Sequence, residues 1–182
     1  MIKLLIGVLM VMSVLENTNI LLESKNSSTL QRWQIVNDGV MGGLSQSKMI
    51  LNDDGFVNFY GNVSLKNNGG FASLRAYVDD IKFEGFNGVE IRLKGDGKKY
   101  GFTIRQSRYF TGYSFNAGFK TNRDQWQTIR IPFEEFKLRF YGRSVNNNSI
   151  IAPDKIQQLG IIISDKQAGD FNLIIDHIKL FK

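Results

Sequence analysis

Gly88-Val89-Glu90-Ile91-Arg92-Leu93-Lys94-Gly95-Asp96-Gly97-Lys98-Lys99-Tyr100-Gly101-Phe102-Thr103-Ile104-Arg105 is the stretch that decides the fold class. Val89, Ile91 and Leu93 alternate with Glu90, Arg92 and Lys94; Phe102 and Ile104 alternate with Thr103 and Arg105. Period two puts one set of side chains on each face of an extended strand, apolar inward and polar outward. Gly95-Asp96-Gly97 between the two runs predicts a hairpin, because Asp-Gly tolerates the positive φ of a tight turn. With Lys98 and Lys99 it resembles a phosphate cradle only superficially, since the Gly-Lys-Ser/Thr ending and following helix of a P-loop are missing.

The same period continues on either side. Val57, Phe59, Val63 and Leu65 alternate with polar residues, as do Tyr113, Phe115, Ala117 and Phe119, and then Ile129, Ile131 and Phe133. Leu159 to Ile163 is aliphatic apart from Gly160, which predicts a strand buried on both faces. In the last segment the apolar set switches from Phe171, Leu173 and Ile175 to Ile174, Ile178 and Leu180; a β-bulge near Asp176 makes that switch. Turn clusters such as Asn52-Asp53-Asp54-Gly55 and Asn67-Asn68-Gly69-Gly70 separate the runs. Helical period is confined to short turns at Pro132–Phe136 and Pro153–Gln158. The expectation is an all-β, antiparallel β-sandwich of roughly eight to ten strands, the number of a jelly roll.

The chain of 182 residues fits one domain with length for a tail. Met1 to Leu15 carries one cation, Lys3, before an apolar run, which is too short to span a membrane and matches the start of a secretory signal or an anchor. Residues 16–30, rich in Asn and Ser, read as a linker, and the domain is expected over 31–182. Export or membrane association through the N-terminal segment is therefore favoured over a mitochondrial location, since no Arg precedes Arg32.

The absence of Cys excludes disulfides, thiolate catalysis and Cys-ligated zinc, and the lone His177 argues against a His-based triad or a multi-His metal site. No cofactor is implied. The net charge of +6 is spread over the body of the protein, with no tract resembling a nucleic-acid-binding run. Glu134 and Glu135 are adjacent, so their side chains diverge and do not form a glycosidase pair.

Several motifs follow in order: N-D-G-V-M-G-G-L-S from Asn37, N-G-G-F-A-S from Asn68, G-D-G-K-K-Y from Gly95, W-Q-T-I-R-I-P-F-E-E-F from Trp126, F-Y-G-R from Phe140, and L-G-I-I-I-S-D-K-Q-A-G-D-F-N-L-I-I-D-H-I from Leu159. This series, covering Trp33 to Leu180, resembles the complex I intermediate-associated protein 30 family. The resemblance implies a galactose-binding-like β-sandwich similar to carbohydrate-binding modules. It also implies a non-catalytic binding protein like the mitochondrial factors that hold subcomplexes of respiratory complex I during assembly. The expected function is thus a chaperone-like assembly module with a protein partner. The alternative is an exported carbohydrate-binding module-like domain.

Candidate binding residues follow from residue type. Asp38, among Gly39, Gly42 and Gly43, either caps a binding face or forms an Asx-turn that shapes its own loop. Met41 is an adaptable apolar contact or a gap-filler. Arg75, Arg92, Arg105 and Arg130 project opposite apolar neighbours; with Tyr113 and Trp126 they would line a face for a sugar or peptide, although Trp126 reads as core. Arg143 with Asp165 and Lys166 would form an ion-pair cluster at one end of the sandwich. Asp38, Asp165 and Asp176 would suit Ca²⁺ by ligand type but lack EF-hand spacing.

Overall fold

A computed structural model describes residues 19–146 and 148–182. The expected N-terminal signal or anchor falls on residues 1–15, outside the described residues. Among the described residues thirteen strands are formed: β1 (Ile20–Glu23), β2 (Trp33–Asn37), β3 (Gln46–Leu51), β4 (Val57–Val63), β5 (Ala72–Tyr77), β6 (Gly88–Lys94), β7 (Lys99–Arg105), β8 (Tyr113–Lys120), β9 (Trp126–Pro132), β10 (Lys137–Phe140), β11 (Arg143–Ser144), β12 (Gln158–Ile163) and β13 (Gly169–Phe181). The count exceeds the expected eight to ten because β1, β10 and β11 are too short to leave a periodic signature. A single α-helical turn, α1 (Ser27–Leu30), is capped by Asn26, whose side chain accepts from the Ser28 amide.

The strands form two antiparallel sheets packed face to face. One has the order β3-β4-β13-β6-β9, with β1 beside the C-terminal half of β13; the other has the order β11-β10-β8-β7-β12-β5-β2. The alternation does what period two demands: Val57, Phe59, Val89, Ile91, Leu93, Phe102 and Ile104 are fully buried between the sheets. Phe59 meets Phe171 edge-on at 4.9 Å, and Phe102 meets Phe136 at 6.2 Å. β12 lies inside its sheet between β5 and β7, which is why its sequence is almost wholly aliphatic. The pairing of β13 with β6 shifts register between Ile175 and His177, so the bulge sits at Asp176 and returns Ile178 and Leu180 to the core. Phe133–Glu135 and Pro153–Lys155 are 3-10 turns, where short helical turns were expected.

Gly95-Asp96-Gly97 is not a hairpin. β6 pairs with β13 and β9, whereas β7 pairs with β8 and β12, so the turn carries the chain from one sheet to the other. Asp96 still makes the local turn, accepting from the Lys98 amide at 2.9 Å, but it also receives the Tyr100 hydroxyl at 3.1 Å and the Asn172 amide at 3.0 Å. Turn chemistry reverses a chain; which strand lies beside it is chosen by distant segments.

The linker expected over 16–30 is corrected by β1. Leu21 and Leu22 are fully buried, Leu22 pairs with Ile178, the Trp33 indole donates to the Leu21 carbonyl at 3.1 Å, and the Ser24 hydroxyl donates to the Ile175 carbonyl at 2.7 Å. The folded unit therefore begins before Gln31. Three apolar residues in a polar stretch are a weak signal, but they complete a core already bounded by β13. Trp126 is a second correction. It lies half-buried on the outer face of the six-stranded sheet, against Phe56 at 4.9 Å, with Arg92 and Lys94 over its ring at 5.3 and 5.7 Å.

Candidate functional site

No strand of the seven-stranded sheet contains an Asp or a Glu. Its outer face carries Arg75, Lys99, Arg105, Lys120, Lys137 and Arg139. The inward positions of the same strands are apolar, so period two has sorted all of this charge onto one surface. The six-stranded sheet is built differently. There Glu90, almost fully buried, receives Arg130 at 2.7 Å and Lys179 at 2.9 Å from the flanking strands, and Asp176 receives Arg92 at 3.2 Å. Burial pushes the Glu90 carboxyl up, but hydrogen bonds from Lys179, Arg130 and His177 outweigh it and hold it at about 2. Among the described residues, no ion pair involves a cation from the strands of the seven-stranded sheet.

Arg75 lies within β5 on that basic face, and Arg105 closes β7 at one end of it. Arg75 stands opposite Gly160 of β12, and Gly160 stands opposite Thr103. A Cβ on Gly160 would lie 2.6 Å from the Thr103 hydroxyl and 3.4 Å from Arg75 Cγ, so the missing side chain is what lets Arg75 lie down along the sheet. Arg105 stands opposite Gln158 on the far side of β12. Burial, with the neighbouring Arg105 charge, draws the Arg75 guanidinium down to about 10. Arg105 is lowered by burial as well. Both remain cations at neutral pH and are incompletely hydrated. Arg105 donates to the Tyr113 carbonyl at 2.6 Å and covers the Phe110 ring at 5.2 Å.

Arg105 thereby joins the basic face to an exposed aromatic cluster at one end of the sandwich. Tyr113 packs on Phe140 at 4.7 Å, Phe140 on Tyr141 at 4.6 Å and Tyr141 on Phe110 at 5.6 Å. Phe110 is 62% exposed and Tyr141 56%. A cleft of about 300 Å³ opens beside them, lined by Ile104, Phe115, Leu138, Tyr113 and Ile150 among others. Contiguous exposed rings of this kind mark contact surfaces in soluble proteins.

The expected site residues thus separate. Arg75, Arg105 and Tyr113 come together on the basic face and its aromatic end. Arg143, exposed on β11, lies near that end, since it pairs with Phe140. Asp165 and Lys166 sit in the turn after β12 at the opposite end, exposed and both at positive φ, so they form no ion-pair cluster with Arg143. Met41 is 65% exposed at that opposite end too, on the 3-10 turn Asp38–Met41. Arg92 and Arg130 belong to the ion-paired outer face of the other sheet.

Asp38 faces no ligand surface. It is buried and accepts from the Ser45 amide at 2.9 Å, the Ser45 hydroxyl at 2.5 Å, the Gly70 amide at 2.6 Å and the Phe71 amide at 3.2 Å. Burial raises its carboxyl, but these donors lower it further, so it is ionised. A Cβ on Gly43 would lie 2.3 Å from the Asp38 carboxyl carbon, and one on Gly69 would lie 2.6 Å from its oxygen. The first two motifs are therefore two loops folded around one carboxylate. Among the described residues, no acidic or imidazole side chains gather into a group suited to a metal ion, and Asp38, Asp165 and Asp176 are apart.

Sequence reasoning missed the aromatic cluster. Phe140 ends β10, while Tyr109 and Phe110, Tyr141, and Ile150 lie on three separate loops, and β8–β10 pairing with the turn at Tyr141 and Gly142 brings them to one end. It also read the arginines one by one, without the sorting of carboxylates to one sheet and bare cations to the other.

The fold is that of solved carbohydrate-binding modules. A family 11 carbohydrate-binding module from Clostridium thermocellum, in complex with a β-1,3-1,4-mixed-linked tetrasaccharide, superposes with a TM-score of 0.67 at 16% identity, over 90% of this chain and 94% of the module. The family 11 module of the cellulosomal cellulase Lic26A-Cel5E from the same organism gives 0.64 at 15% identity, over 82% and 87%. The complex I intermediate-associated protein 30 of Mus musculus, named as mitochondrial, is 27% identical over 92% of this chain and 57% of its own length. A probable complex I intermediate-associated protein 30, also mitochondrial, from Caenorhabditis elegans is 28% identical over 76% of this chain and 46% of its own. The chain thus spans about half the length of these relatives. Their names overturn the expectation that favoured export over a mitochondrial location. The absence of Arg from a short leading stretch was too slight a sign to exclude it. The sequence model of complex I intermediate-associated protein 30 matches residues 22–175. With most of the chain inside that match, from the end of β1 to the middle of β13, the protein belongs to the complex I intermediate-associated protein 30 family.

Proposed function

We propose that this chain is a mitochondrial protein-binding module that holds an intermediate of respiratory complex I during assembly and performs no chemistry of its own. The mouse and nematode relatives are named for complex I intermediates and not for a reaction. The observation that carries the binding reading is the continuous surface made by the unpaired basic face and its exposed aromatic end. Arg, Tyr and Phe are the residues that dominate protein interfaces, and aromatic rings beside a guanidinium give both buried area and directed hydrogen bonds. The alternative, a carbohydrate-binding module, keeps exposed rings at one end of the sandwich but not the face first expected for it, since Trp126 lies on the other sheet, away from Tyr113.

Native gel electrophoresis of mitochondria from the source cells tests the assembly role. The protein is expected to migrate with a complex I subassembly, and its deletion to deplete the mature complex. Migration only as the free chain, with complex I at its normal level, would overturn it. A glycan array run on the purified chain would bring the carbohydrate reading forward if it gave tight hits.

A further inference from the structure

We propose that the outer face of the seven-stranded sheet receives an extended acidic peptide segment of the partner, its carboxylates held by Arg75 and Arg105 on either side of β12. This rests on the protein-binding reading above. The face offers cations and no carboxylate from any of its strands, while the opposite sheet neutralises its own. Such a surface is completed by an external anion.

The occupant follows from the geometry. Arg75 lies along the sheet beside Gly160, and Arg105 is drawn down onto the Tyr113 carbonyl and the Phe110 ring, so the two guanidiniums are recessed and not raised. A flat anionic membrane would meet raised lysines and would not reach them, whereas a carboxylate on a side chain does. Arg75 and Arg105 are two strands apart and two residues out of step, about 12 Å between their Cα atoms. Alternate side chains of an extended peptide lie about 7 Å apart on one side, and two long arginines span the difference. A single-stranded nucleic acid would need aromatic rings among the cations for base stacking. Here the rings beside cations, Tyr77 under Arg108 and Phe110 under Arg105, stand at the Arg105 end, and the rest of the face shows Gly160, Thr103 and Asn116, with no ring to continue a stack. A second copy of the chain presenting the same face would set cation against cation.

The test uses the full chain and a fluorescein-labelled dodecapeptide alternating Glu with Leu. Its controls are the same peptide with Gln for every Glu and a single-stranded oligonucleotide of equal charge. Anisotropy is expected to show the Glu peptide binding at least tenfold more tightly than either control, weakening several-fold from 50 to 200 mM salt. Arg75→Gln should weaken the Glu peptide about tenfold and Arg75→Gln/Arg105→Gln further, with Lys48→Gln on the other sheet unchanged. Equal binding of the Glu and Gln peptides, indifference to Arg75→Gln in a variant with unaltered urea unfolding, or tighter binding of the oligonucleotide would overturn the assignment. The double variant is then followed on native gels. If it still migrates with a complex I subassembly, the arginine face is refuted and the assembly role stands. If the wild type never migrates so, yet binds the Glu peptide through Arg75, the face stands and the assembly role falls.

Discussion

Asp38 decides how the two glycine-rich loops are held. Its four donors come from both loops, and removal would leave the Gly70, Phe71 and Ser45 amides facing a void. Asp38→Ala is expected to cost about 3 kcal/mol, since each stranded buried donor loses its full desolvation compensation. Urea unfolding measures this, and a loss under 1 kcal/mol would mean the loops hold themselves. Glu90 gives a pH-dependent counterpart on the six-stranded sheet. Its carboxyl is held at about 2, below its ordinary value of 4.5. A depressed folded value means that the stabilisation is complete above pH 4.5 and disappears as pH falls through 2. Glu90→Gln should therefore cost about 2 kcal/mol at pH 7 and much less near pH 2.5. A gap to wild type that stays constant with pH would refute the charge-based account.

At the level of elements, the strands that were plain in the sequence are those with one buried face and enough length to show it. β4, β6, β7, β8 and β9 alternate cleanly, and β12 announces its central position by having almost no polar residue. β13 gave away its bulge, since an extra residue is the one way to change faces within a strand. β1 was not legible, because four residues cannot display a period and its neighbours are polar. Its importance is measurable: Leu21→Ala, at a fully buried position, should cost about 3 kcal/mol. An unchanged melting midpoint would restore the linker interpretation. The Gly95–Gly97 turn was read correctly as a reversal and wrongly as a hairpin, since the residues that forbid pairing of β6 with β7 are in β9, β13, β8 and β12.

On the scale of the whole molecule, the two ends of the sandwich carry different loops. Arg143 belongs to one end, Asp165 and Lys166 to the other, and no ion pair joins them among the described residues. The stability changes of Arg143→Ala and Asp165→Ala should accordingly add in the double variant, to within about 0.5 kcal/mol. A larger coupling energy from chemical denaturation would place the two ends in contact. The sandwich, the inward residues and the available charge can all be read along the chain, because period two is a local property that a strand keeps wherever it lies. Which strands are neighbours is settled only once the chain is folded, and with it that Arg75, Arg105 and the end aromatics share a surface while Glu90, Asp176, Arg92 and Arg130 neutralise one another on the other side. That choice is made by long-range pairing in a common core, and the spacing of residues along the chain does not carry it.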